Sequence, residues 1–141
     1  MSTTLAAMDQ VMDDHFKFEA AEDMASLLGT VTDDVLHDQV GNPMGLRRGK
    51  DEMIGFYEVL FADTEQTGVT PLHRLYGESS AVDDIIWEGY TTGLPFGLNG
   101  PRTLTRFRLL HVFEFRDGLI SRENVWLDYS ALRQQLFGPH G

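Results

Sequence analysis

A chain of 141 residues is the size of one domain, and 42% hydrophobic with 23% charged residues is the make-up of a globular protein with a core, which argues against disorder. A formal net charge of −11 sets up a field that repels nucleic acid and anionic membranes, and the nine arginines among the 11 basic residues are scattered along the chain. The absence of cysteine removes disulfides, thiolate metal sites and cysteine nucleophiles. No apolar run approaches the ~18 residues of a membrane span. The N-terminus has neither the basic nor the apolar region of a signal peptide, so one domain over residues 1–141, in the cytoplasm, is expected.

In chain order, apolar residues at three-to-four spacing (Leu5, Met8, Met12, then His15 or Phe16) predict a helix from Thr4 to Ala20. A short helix over Glu22–Leu28 stops at Gly29. Thr32-Asp33-Asp34 reads as a turn and Val35–Val40 as a strand. Gly41–Gly45 is a loop, followed by a helix over Lys50–Phe61. Beyond Gly68 come four strands, Thr70–Tyr76, Ala81–Thr92, Thr103–Phe115 and Leu119–Tyr129, and a short helix over Ser130–Phe137. The order ααβαββββ plus a terminal helix predicts an α+β fold. Three helices of the N-terminal half pack on the concave face of a curved, cone-shaped antiparallel sheet. A half-cone of this kind holds a natural pocket.

Strand alternation then selects candidates for chemistry. Leu36, Asp38 and Val40 share one face of their strand, taken as the inner one, and burial there would raise the Asp38 pKa and suit it to accept a proton. His37 falls on the other face and reads as a solvent or interface residue. On the next-to-last strand, Phe107, Leu109, His111, Phe113 and Phe115 form a core face with His111 as its one polar member. The partner of His111 depends on the turn at Arg116-Asp117-Gly118. A three-residue turn with glycine in the bulge position pairs His111 with Glu123 and sets Val125 and Leu127 beside it; a two-residue turn pairs it with Asn124. The first register is preferred, since two residues suited to a type I turn precede the glycine. His15 lies on the inner stripe of the first helix. His73, beside Arg74, reads as a solvent or interface residue, and His140 falls in the terminal tail. No histidine pair has zinc-motif spacing, and the Gly93–Gly100 segment opens no helix, which disfavours a phosphate loop.

The segments Asp33–Pro43, Arg48–Tyr57, Leu109–Gly118 and Ile120–Asp128 together resemble the nuclear transport factor two-like superfamily, and the last two resemble its SnoaL-like branch. The resemblance covers nearly the whole chain and implies the cone-shaped fold. Asp38-Gln39-Val40-Gly41-Asn42 is similar to the ketosteroid-isomerase segment that carries the general base. By the same resemblance His15 and His111 stand where that family has its oxyanion-hole tyrosine and aspartic acid. The epoxide-hydrolase pattern fits less well, because the position of its arginine, near Ile86-Trp87-Glu88, holds none.

The resulting expectation is proton-transfer catalysis (isomerase, cyclase or dehydratase type) on an apolar carbonyl compound, without cofactor or metal. Asp38 would be the base, His111 oriented by Glu123 the acid or oxyanion donor, and His15 an assistant. Phe16, Phe56, Leu60, Phe107, Leu109, Phe113, Val125 and Leu127 would form the pocket wall, with Phe96 in a lid. The competing reading is a non-catalytic domain that binds a small apolar ligand or scaffolds a dimer. A homodimer through the outer sheet face is expected, since Leu110, Val112, Ile120 and Trp126 would make that face apolar.

Overall fold

A computed structural model describes residues 3–139, so His140 lies outside the described residues. Helix α1 runs Leu5–Ala20, with the Thr4 side chain accepting the Ala7 N–H, and α2 runs Met24–Leu28 behind an Asp23 cap. Strand β1 (Val31–Gln39), the short β2 (Leu46–Arg48) and α3 (Gly49–Asp63) follow. Then come β3 (Glu65–Tyr76), β4 (Ser80–Thr91), a 3₁₀ turn at Leu94–Phe96, β5 (Thr103–Arg116), β6 (Leu119–Leu127) and α4 (Tyr129–Phe137). No helix among the described residues is long and apolar enough to cross a membrane.

The fold is α+β, with one six-stranded sheet in the order β2-β1-β6-β5-β4-β3. It is mixed and not wholly antiparallel as expected: β1 lies parallel to β6, while every other neighbouring pair is antiparallel. The strand expected from Val35 begins earlier, at Val31, because Thr32-Asp33-Asp34 continues the strand. The β1–β6 register shifts between Val31 and Leu36, which accommodates two successive exposed residues, Asp33 and Asp34.

The facing of β1 is the reverse of the sequence expectation. Val35, His37 and Gln39 are buried on the concave side, whereas Leu36, Asp38 and Val40 are half-buried on the opposite face. Alternation is reliable when the inner face is apolar. Here that face borders a polar cavity, so the polar residues point inward.

The last hairpin adopts neither anticipated register. Arg116 pairs with Leu119, so Asp117-Gly118 is a two-residue turn, with φ of 54° and 77°. Both values are positive, as a type I′ turn requires and as Asp and Gly tolerate. Phe115 pairs with Ile120, but Glu114 pairs with Arg122, leaving Ser121 as an extra residue in a bulge. Beyond the bulge His111 faces Val125, and Glu123 faces Phe113. The bulge returns Glu123, Val125 and Leu127 to the concave face, as the preferred register required, while the expected His111–Glu123 pair does not form. The two-residue turn itself pairs Ile120 with the inward Phe115, so Ile120 is fully buried and absent from the outer face.

Two apolar clusters fill the cone. One joins α1, α2 and α3 to the sheet through Met8, Met12, Leu27, Met53, Phe113 and Ile120. The other joins α4 and the 3₁₀ turn to it through Trp87, Phe96, Phe107, Leu109, Leu132 and Leu136. Leu60 packs against both.

Candidate active site

Between the clusters lies a cavity of about 240 Å³. Apolar walls come from Phe56, Leu60, Phe61, Trp87, Phe96, Leu109 and Val125, and polar groups from His37, Gln39, Tyr57, His111 and Glu123. The exposed lining residues Ala20, Glu22, Glu65 and Gln66 mark its mouth, with Glu19 beside them. No lysine or arginine among the described residues lines it.

At the floor stands Glu123, 2% exposed, on the inward side of β6. Helix α1 brings His15 to it along the buried stripe of Met8 and Met12, with His15 Nε2 3.1 Å from Glu123 Oε2. Strand β1 brings His37 Nε2 to 3.8 Å from the same oxygen. Helix α3 places the Tyr57 hydroxyl 3.2 Å from His15 Nε2. One carboxylate thus serves two imidazoles, with a phenol beside them and His111 near enough to interact through charge.

These neighbours decide the protonation states. Burial pushes the Glu123 carboxyl up, but His15, then His37 and His111, outweigh it and hold it well below the usual glutamate range. Burial pulls His15 down, yet the Glu123 carboxylate, with Glu19 adding to it, raises it above the ordinary histidine value. His37 is drawn down to about 4, chiefly by burial, and His111 is lowered for the same reason. Burial also raises Tyr57 well above its ordinary value and raises Glu19. At neutral pH the floor therefore holds an ionised Glu123, which favours the protonated form of His15, flanked by two neutral imidazoles and a neutral phenol.

Three buried polar atoms without a hydrogen-bond partner belong to residues lining this cavity, His37 Nδ1, Gln39 Oε1 and His111 Nδ1, and Glu123 Oε2 has only the His15 Nε2 contact at 3.1 Å. An unpartnered buried polar atom costs roughly 1–3 kcal/mol, so three beside one cavity mark where a polar ligand would find hydrogen-bond partners. Among the described residues no group of three or more His, Asp or Glu side chains is arranged to hold a metal ion.

Of the residues singled out in the sequence, His111 and Glu123 line the cavity. His15 is fully buried behind its floor and reaches the cavity only through Glu123 and Tyr57. Asp38 lies on the other face of β1, opposite Asn124 and Leu46, so the expected base is turned away and its expected desolvation between Leu36 and Val40 on an inner face does not arise. Phe56, Leu60, Phe96, Leu109 and Val125 line the cavity. Phe16 and Phe113 do not; Phe16 meets the His111 ring edge-on at 5.0 Å and Phe113 stacks on it at 5.8 Å, so both hold the imidazole in place. Phe107 packs behind the wall, 5.3 Å from Trp87 between ring centroids, and Leu127 lies in the same apolar cluster. The sequence reading missed His37, Gln39 and Tyr57. Tyr57 carried a signal, a hydroxyl on the apolar stripe of α3. His73 is exposed, as expected.

Residues 12–123 match the family model of the SnoaL-like domain. The fold is similar to that of TsrD from Streptomyces laurentii, with a TM-score of 0.79 and 18% identity over 96% of this chain and 98% of that one. It is also similar to a protein with a ketosteroid isomerase-like fold from Catenulispora acidiphila, solved in complex with trimethylamine (TM-score 0.73, 14% identity, 92% and 93% covered). A third similar structure is an LEH-like epoxide hydrolase of M. tuberculosis (TM-score 0.70, 16% identity, 90% and 86% covered). No curated protein sequence matches the chain.

Proposed function

The chain belongs to the SnoaL-like domain family, whose fold is shared by catalytic proteins, and from that premise we propose that it catalyses proton transfer on a small, neutral, largely apolar carbonyl compound. Isomerisation, cyclisation and dehydration all begin with such a step. The observation that carries the reading is the set of unpartnered polar atoms on residues that line a cavity of mixed polar and apolar walls.

Asp38 is not part of this mechanism. The base is His37, neutral at physiological pH, whose Nδ1 is free while Nε2 faces Glu123 across 3.8 Å. When Nδ1 takes an α-proton, the ring becomes an imidazolium and the Glu123 carboxylate stabilises it, strongly so in a site shut off from water. The electron pair left on carbon moves onto the carbonyl oxygen. His111 and Tyr57, both neutral and both able to donate, receive the developing oxyanion. His37 then returns the proton to another carbon for isomerisation, or the enolate attacks a second carbonyl for cyclisation. The lack of lysine and arginine among the described lining residues, together with the carboxylates at the mouth, selects against carboxylate and phosphate substrates.

The test is exchange of α-hydrogens in D₂O, followed by NMR on a panel of neutral cyclic ketones and β-diketones. We expect exchange above the buffer rate with the wild type, and a loss on the order of 10²–10⁴ in His37→Gln and Glu123→Gln. Saturable binding of these compounds without exchange would favour a ligand-binding domain instead.

A further inference from the structure

The hydrogen-bond chain behind the cavity places an outlying residue in control of its charge. Thr30, between α2 and β1, is not among the cavity's lining residues. Its Oγ1 lies 2.6 Å from the Leu27 carbonyl oxygen and 2.8 Å from His15 Nδ1. A carbonyl oxygen carries no proton, so the single hydroxyl proton of Thr30 must sit between the two oxygens. Oγ1 therefore accepts, and His15 Nδ1 must be the donor. On the other side of the ring, Nε2 stands 3.1 Å from Glu123 Oε2. The Tyr57 hydroxyl is 3.2 Å from the same nitrogen and could donate to a bare Nε2, but that would leave the ring's lone pair 3.1 Å from a carboxylate oxygen with no proton between them; with Nε2 protonated, its hydrogen is shared between Glu123 and the Tyr57 oxygen. Nε2 therefore carries a proton as well.

We infer that Thr30 is a positioning residue that holds His15 doubly protonated and, through it, keeps Glu123 an anion on the cavity floor. The groups that face His15 agree with a cation: Glu19 from its own helix at 3.9 Å and Glu123 from β6, against neutral Tyr57 from α3, His37 from β1 and His111 from β5. The charge makes the buried carboxylate tolerable, since an unpaired one would take up a proton. A protonated Glu123 has no negative charge to stabilise an imidazolium at His37. The functional part of this inference rests on the proton-transfer reading; the charge on His15 does not.

The experiment is ¹⁵N NMR of the His15 ring, without substrate, from pH 5 to 9. In the wild type both nitrogens are protonated at pH 7. Thr30→Ser, which keeps the hydroxyl, preserves that spectrum. Thr30→Val, of similar shape, leaves Nδ1 without an acceptor and lowers the titration midpoint of His15 by about one pH unit or more. Its α-hydrogen exchange then declines at a higher pH on the acid side than in the wild type, and Thr30→Ser restores the profile. A wild-type His15 with one bare nitrogen at pH 7 overturns the inference with no variant needed, and so does a Thr30→Val midpoint equal to that of the wild type. Absence of exchange in every variant, with the NMR pattern intact, refutes the proton-transfer reading and leaves the assignment of His15 standing.

Discussion

Glu19, Glu123, His15, His37 and His111 have opposing consequences for stability. His37 and His111 are held below the ordinary histidine value, so the unfolded chain takes up their protons first as pH falls. Their contribution is complete above about 6.5 and declines toward the lowered values, about 4 for His37. His15 is raised, so its contribution is complete below about 6.5 and is lost as pH rises through its folded value. Glu123 is lowered, so its contribution is complete above about 4.3 and is lost as pH falls through its folded value. Glu19 is raised to about 7, so its contribution is complete below about 4.3 and is lost as pH rises through about 7. His37, His111 and Glu123 thus weaken the fold toward acid, and His15 and Glu19 weaken it toward alkali. His37→Gln removes one source of the acid-side decline, and its urea midpoint between pH 6.5 and 4 falls less steeply than that of the wild type. Equal acid slopes in the two proteins would contradict the burial of a neutral His37.

The bulge at Ser121 controls the facing of β6 as an element. A strand's side chains alternate, so one residue added or removed turns every later side chain to the other face. The two-residue turn alone would send Glu123, Val125 and Leu127 outward; the extra residue brings them back. Deletion of Ser121 is expected to expose two apolar side chains and remove Glu123 from His15 at once. A cooperative thermal transition, monitored by circular dichroism, should disappear or fall far below that of the wild type, whereas Ser121→Ala should melt within a few degrees of it. A deletion variant that melts like the wild type would mean the hairpin can shift its register, and the bulge would lose its assigned role.

At the scale of the whole molecule, the convex face of the sheet is left open. Trp126 is 40% exposed, Leu110 and Val112 are half-buried, and ion pairs from Arg108 to Asp84 and from Arg106 to Glu88 cross the same strands. Helix α4 does not cover this patch, because its Leu132 and Leu136 pack with Phe107 and Leu109 on the concave side. Apolar residues interleaved with both charge signs make a self-complementary surface. We propose a homodimer across this face, without the buried Ile120. Sedimentation at micromolar concentration should give twice the 15.9 kDa chain mass for the wild type and a monomer for Trp126→Arg. A monomeric wild type would dismiss the dimer, and a dimeric variant would place the interface elsewhere.

Apart from the short β2, the order of helices and strands was legible because each follows from local periodicity and punctuation: the three-to-four apolar repeats of α1, the glycine after α2, the unbroken alternation of β5. The inward facing of His111 followed from that alternation, since its neighbours on that face are all phenylalanine or leucine. β1 misled for the same reason in reverse. Its inner face meets a polar cavity, so His37 and Gln39 point in and Leu36 and Asp38 point out, and a rule built on burial of apolar groups exchanges the two faces. The parallel pairing of β1 with β6, the bulge at Ser121, and the meeting of His15, Tyr57 and Thr30 around Glu123 join residues far apart in the chain. Only tertiary structure decides them, because the charge on a buried carboxylate depends on which groups the fold carries to within about 4 Å of it.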